Sequence, residues 1–152
     1  MVKLITKNTD YAIRALVALG QVGDDYISAR DLSLKQSIPY EYLRKILQVL
    51  IGDDLVESKE GGSGGFKLNP KALKIKVTDV MRIFQGDIQL SACMFRKKLC
   101  PHRDQCALRD NIQQIERSVI RQFGNLTVEI LIQQTKRKGY EKKSDQNRRR
   151  KM

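Results

Sequence analysis

The chain has 152 residues, with 29 Lys plus Arg against 17 Asp plus Glu, a net charge of +12 and a pI near 9.8. Its 41% hydrophobic residues suffice for one ordinary core and exclude a wholly disordered chain, and the lack of any run of about 18 apolar residues excludes a membrane-spanning helix. The basic surplus selects polyanionic partners, nucleic acid before an acidic membrane surface.

The opening stretch MVKLITKNTDYAIRALVALG is interrupted by Asp10 and Arg14, so it does not read as a secretory signal, and a cytoplasmic location is expected. From Lys7 to Gly20, Ala12, Ile13, Leu16, Val17 and Leu19 recur at spacings of three and four, which predicts an amphipathic helix capped by Thr6 or Thr9. Ser28 with Asp31 fits a capping box and predicts a short second helix carrying Leu32 and Leu34 and ending at Ser37. Pro39 suits a first helical turn, and Leu43, Ile46, Leu47 and Leu50 form the apolar stripe of a third helix reaching Gly52. The other face of that helix carries Tyr40, Glu41, Arg44, Lys45 and Gln48.

The next stretch, LVESKEGGSGGFKL, has short extended runs on both sides of a glycine turn. Its glycines admit a flexible linker, a phosphate-cradling loop or a tight hairpin. A phosphate loop adds a Lys and a Ser or Thr at fixed offsets and opens a helix, whereas Phe66, Lys67 and Leu68 alternate like a strand, which favours the hairpin. Beyond Pro70 a basic connector leads to a helix from about Thr78, with Val80, Ile83 and Phe84 inward and Gly86 at its end. From Ala107, the residues Leu108, Ile112, Ile115, Val119 and Phe123 predict a long amphipathic helix. Gly124 and Asn125 break it, and a further helix runs from Val128 to Lys138. The tail KRKGYEKKSDQNRRRKM is charged and almost devoid of apolar residues, which predicts disorder.

The expected fold is mainly α with a small β-wing. It divides into a winged helix-turn-helix over 1–70, a connector helix and cysteine loop over 71–106, a dimerisation helix region over 107–138 and a basic disordered tail over 139–152. The third helix would enter the major groove of double-stranded DNA, offering Tyr40, Arg44, Lys45 and Gln48, with Lys59 and Lys67 of the wing placed for phosphate or minor-groove contact. The long helix needs a partner surface for its stripe; a second copy supplies it, and a homodimer of this kind reads a near-palindromic operator. One histidine and no convergent nucleophile and base leave little enzymatic chemistry.

Cys93, Cys100 and Cys106 are all the cysteines of the chain and, with His102, fall within fourteen residues. An odd number of thiols leaves one over in any disulfide scheme, and a reducing compartment turns attention to metal or redox chemistry. The spacings of six and five intervening residues are wider than those of zinc knuckles and leave room for an iron–sulfur cluster. Zinc, thiol-based redox sensing and unligated cysteines remain open on spacing alone, which gives two rivals to a cluster-dependent regulator: a zinc-stabilised basic adaptor and a metal-free thiol regulator. A cluster normally takes four ligands, so the fourth is His102 or an Asp or Glu from elsewhere.

The segments KNTDYAIRALVALG, IPYEYLRKILQVL, SKEGGSGGFKL and TDVMRIFQGD, followed by the three cysteines, occur in an order and at distances that resemble the IscR/NsrR/CymR family of bacterial winged-helix regulators over roughly residues 3 to 136. The resemblance implies a homodimeric transcription regulator, more often a repressor, that senses nitric oxide, redox or iron status through a 2Fe–2S or 4Fe–4S cluster held by Cys93, Cys100 and Cys106. In the IscR branch a histidine follows the third cysteine by three residues, a place taken here by Arg109. In the NsrR branch an aspartate in a TDxA context ligates from the other subunit; the chain has TDYA, so the resemblance favours Asp10 as fourth ligand over His102. Glu60 stands where the family's wing usually carries an arginine.

Overall fold

A computed structural model of the chain describes residues 3–90, 100–101 and 103–150. Helix α1, Lys7–Val22, begins at Thr6, whose side chain accepts a hydrogen bond from the Thr9 amide. It buries Ala12, Ala15, Leu16, Ala18 and Leu19. Helix α2, Ala29–Gln36, opens on the expected box: Ser28 Oγ accepts from the Asp31 amide and donates to the Asp31 carboxylate. Its last turn ends at Ser37, which adopts the left-handed conformation with φ 51° and sends its amide back to Leu34 and Ser33 carbonyls. Leu32 is fully buried, but Leu34 is 73% exposed and does not join the core as the sequence pattern suggests. Two residues apart on a helix, the two side chains point roughly 200° apart, so only one of them meets α1 and α3.

Helix α3, Tyr40–Gly52, follows Pro39 and buries Leu43, Ile46, Leu47 and Leu50, as its stripe predicts. Strands β1, Val56–Lys59, and β2, Gly65–Leu68, pair antiparallel with Val56 opposite Leu68 and Lys59 opposite Gly65. Ile27 adds a short antiparallel bridge to Phe66 through two hydrogen bonds of 3.0 and 2.8 Å, which fastens the wing to the loop between α1 and α2. The glycine run is therefore a hairpin turn. Gly61 and Gly65 have φ of 107° and 144°, and a Cβ on Gly64 would meet the Lys59 carbonyl.

A 3-10 turn over Pro70–Lys74 leads to α4, Val77–Gln85, which ends at Gly86. Helix α4 buries Val77, Val80 and Met81, with Ile83 and Phe84 packed half-buried against the core. Helix α5 spans Ala107–Gly124, and after a turn in which Thr127 Oγ1 accepts from the Ile130 amide, α6 runs Val128–Arg150. The Val77 amide donates to the Leu126 carbonyl and the Val128 amide to the Ile75 carbonyl, so this turn is tied to the entry of α4.

The core does not close within residues 1–70: Ala72, Val80, Val128 and Ile132 belong to the same buried cluster as Leu16, Leu43 and Leu47, because α4 and α6 pack on α1. Helix α6 continues to Arg150, through residues where the composition predicts disorder. Lys, Arg, Gln and Glu lose little side-chain freedom in a helix, so the segment continues the helix from its anchored first turn.

Replacing Gly65 by Ala places a Cβ against the Ile27 carbonyl at a φ that L residues rarely adopt. The expected cost is about 1 to 3 kcal/mol of folding stability, read as a lower urea midpoint with an unchanged m-value. Gly62→Ala, where a Cβ meets open space, serves as the neutral reference.

Candidate nucleic-acid interface and cysteine site

The turn that aims α3 is closed from several directions. Ile38 is 2% exposed, Ser33 Oγ donates to the Ile38 carbonyl at 2.6 Å, and the Arg14 guanidinium donates to the Gln36 carbonyl. With its apolar stripe buried, α3 leaves Tyr40, Arg44, Lys45 and Gln48 exposed together on its outer face. Arg44 lies over the Tyr40 ring, 5.8 Å from its centre, one helical turn away. This stacking orders a guanidinium that remains free to form two hydrogen bonds with a base edge or a phosphate. Beside it, Tyr42 packs edge-on against Tyr11 of α1 with ring centres 6.5 Å apart, and Lys7 lies over both rings.

The two wing lysines differ. Lys59 is exposed at the end of β1, 5.7 Å from the Tyr26 ring centre. Lys67 has a side chain only 22% exposed and pairs with Asp24 at 3.1 Å. The hydrogen bond to Asp24 raises the Lys67 pKa above its ordinary 10.5. Asp24, Asp25, Glu57 and Glu60 surround these lysines in sequence and across the hairpin, so the wing carries little net positive charge.

Asp10 lies in the first turn of α1 with its side chain 54% exposed, 3.5 Å from Arg14. Arg14 thus joins Asp10 to the Gln36 carbonyl at the end of α2. Nearby, Thr9 is fully buried, and its hydroxyl donates to Gln85 Oε1 at 2.7 Å, while Gln85 Nε2 donates to the Leu4 carbonyl at 3.0 Å. Gln85, the last residue of α4, thereby holds the first turn of α1, a contact that no sequence pattern announced. Glu116 of α5 accepts from the Leu90 amide at 3.0 Å and fixes the chain where it leaves α4.

Cys100 and Cys106 are half-buried and flank the 3-10 turn Arg103–Gln105. Cys106 is the N-cap of α5, yet its side chain makes no capping hydrogen bond, so its sulfur is not engaged by the helix. Cys93 and His102 lie outside the described residues. Among the described residues no three His, Cys, Asp or Glu side chains are grouped to hold a metal ion. Two half-buried thiols on either side of one turn are soft donors of the type that an iron–sulfur cluster takes, and Cys93 would have to supply a third. Helix α5 itself has no buried residue: Leu108, Ile115 and Ile120 are 69%, 56% and 40% exposed.

A family model described as Rrf2, Iron-dependent Transcriptional regulator, matches residues 5–134. The HTH-type transcriptional repressor NsrR of Streptomyces coelicolor is 28% identical over 130 residues, covering 84% of the chain and 87% of that protein. The HTH-type transcriptional regulator NsrR of Oceanobacillus iheyensis is also 28% identical over 130 residues, covering 84% and 88%. Among solved structures, CymR, the global cysteine regulator of B. subtilis, superposes with a TM-score of 0.70 at 21% identity over 88% of the chain and 98% of its own. T. potens IscR gives 0.68 at 20% identity, with 88% of each chain covered. At these identities the two structures establish a common winged-helix fold.

In binding measured by fluorescence anisotropy, Arg44→Ala should cost about 1 to 3 kcal/mol on a specific site. Lys59→Ala should flatten the salt slope by about one on any duplex, the mark of a lost phosphate contact. Lys67→Met should leave that slope unchanged and lower the melting temperature slightly, since its charge is held by Asp24. Equal slope changes for the two lysines would reject the distinction.

Proposed function

The chain belongs to the Rrf2 family of transcriptional regulators, and on that footing we propose that it is a homodimeric repressor whose hold on DNA is set by an iron–sulfur cluster. It is a DNA-binding regulator and not an enzyme. No helix among the described residues is long and apolar enough to cross a membrane, which accords with the proposed cytoplasmic site of action.

One observation carries the reading: Cys100 and Cys106 stand directly before α5, a helix with no buried residue and with Leu108 and Ile115 exposed on one face. Ligation there orders the entry of the helix that joins two copies. Leu108 and Ile115, seven residues apart on one face, meet their counterparts across a two-fold axis, each buried side chain contributing about 1.5 to 3 kcal/mol. Each copy then presents its own α3, with Tyr40, Arg44, Lys45 and Gln48, to one half of a near-palindromic operator.

Cys93, Cys100 and Cys106 are the proposed thiolate ligands, with Asp10 of the second copy as the fourth. A bound cluster supplies iron centres whose ligation responds to nitric oxide, oxidants or iron supply. Asp10 serves this role because it is exposed and held only by Arg14 at 3.5 Å, a surface pair of small worth. When Asp10 turns to a ligand, Arg14 keeps its bond to the Gln36 carbonyl and loses its carboxylate, which alters the support of the turn before α3. The effect on DNA is bounded by the energy of those few contacts, so operator affinity shifts while the domain stays folded.

A thiol-based reading without metal draws on the half-exposure of Cys100 and Cys106 and on the fold shared with CymR. Iron and acid-labile sulfide counted after anaerobic purification separate the two. Cys93→Ala, Cys100→Ala and Cys106→Ala should each abolish bound iron. Asp10→Ala should retain a more labile cluster with altered visible absorption and weaker coupling to DNA, and His102→Ala should resemble wild type. Iron-free protein whose DNA binding is lost on alkylation would favour the thiol reading instead.

Replacing Ile115 by Lys should turn the dimer into a monomer at micromolar concentration in sedimentation velocity, with the melting curve of the α1–α4 core retained. A monomeric wild type would reject the role assigned to α5.

A further inference from the structure

The family match ends at residue 134, but α6 runs on to Arg150. Nine of the 16 residues 136–151 are Lys or Arg and two are acidic, so this short piece carries more than half of the chain's net charge of +12. Val128 and Ile132 anchor α6 in the core, and Gln133 to Gly139 are exposed. From the geometry we infer that residues 135–150 form a second nucleic-acid-binding element, a basic helical extension that grips the phosphates of duplex DNA outside the site read by α3.

The distribution of charge chooses this partner. In the sequence the basic residues at 136–138, 142–143 and 148–151 follow no helical period, so they define no single reading face. Base recognition needs a few donors held in one orientation, whereas phosphates attract cations from any side. A membrane-surface helix needs an apolar face opposite its lysines, and the segment has Tyr140 as its one large apolar residue before Met152. Single-stranded nucleic acid is held by stacking on aromatic side chains, and one tyrosine offers little of that. Sixteen helical residues span about 24 Å, a substantial part of one duplex turn. The wing, with Lys67 paired to Asp24, leaves Lys59 alone for phosphate contact, and the extension adds to it.

The test uses the full chain, a truncation after Lys138, and a full-length variant with Lys142, Lys143, Arg148, Arg149 and Arg150 all changed to Gln. Glutamine keeps a helix propensity close to that of Lys and Arg. Binding to a 40-base-pair duplex of arbitrary sequence is followed between about 50 and 200 mM salt. Both altered chains should bind at least about tenfold more weakly at the low end, and the salt slope should fall by about 3.6 to 4.5, the counterion release of four or five phosphate contacts. Repeating the series in an Arg44→Ala background separates this element from α3, because the loss persists there whether or not α3 reads bases. Unchanged slopes would overturn the proposal. So would tighter binding of the full chain to phosphatidylserine vesicles or to polyuridylate than to the duplex, with loss of that preference in the variants.

Discussion

The close approach of α1 to its neighbours is the constraint on which the other elements depend. Ala12, Ala15 and Ala18 present small buried side chains, and at Gly20 a Cβ would collide with Ile132 of α6. These residues let α3, α4, α6 and β2 pack against one helix, with Leu16 and Leu19 filling the space between. Larger side chains would force the surrounding helices apart and open cavities beside Leu43 and Leu47, a costly change in a close-packed core. The polar end of the same helix is equally committed: Thr9 is buried because Gln85 satisfies its hydroxyl.

That arrangement places two surfaces with different duties on one body. The α3 face is aimed by a turn whose carbonyls are taken by Ser33 and Arg14, so its direction is fixed by hydrogen bonds as well as by the burial of Ile38. Among the described residues no side chain of α5 is buried, and Leu108 and Ile115 of its stripe are exposed. Between them, Gln85 and Glu116 hold the two ends of the stretch that leads from α4 toward the cysteines. Gln85 reaches the first turn of α1 through Thr9, and Glu116 belongs to α5, so the end of α4 is tied to both helices by a few hydrogen bonds.

Charge is distributed unevenly over this scaffold. Acidic residues neutralise much of the wing, Lys67 is drawn into an ion pair with Asp24, and the densest positive charge lies beyond the part of the chain that the family shares. Helix α3 keeps its own cations exposed, with Arg44 over the ring of Tyr40.

The sequence by itself determined the local elements. Ser28 with Asp31, Pro39, Gly86 and the pair Gly124 and Asn125 are capping and breaking signals read within a few residues, and the stripe of α3 follows from a period of 3.6, so α1 to α4 and the break before α6 were legible. The exposed polar face of α3 and the grouping of the cysteines were legible for the same reason, since side-chain chemistry and short spacing are written in the chain. Tertiary structure alone decided which of Leu32 and Leu34 is buried, that Met81 belongs to the core, and that α6 returns to α1 and extends the core beyond residue 70. It alone separated Lys59 from Lys67 and brought Gln85 to Thr9 and Arg14 to the carbonyl of Gln36. These facts depend on residues more than twenty positions apart meeting in space, and local periodicity carries no record of which distant surface a helix will find.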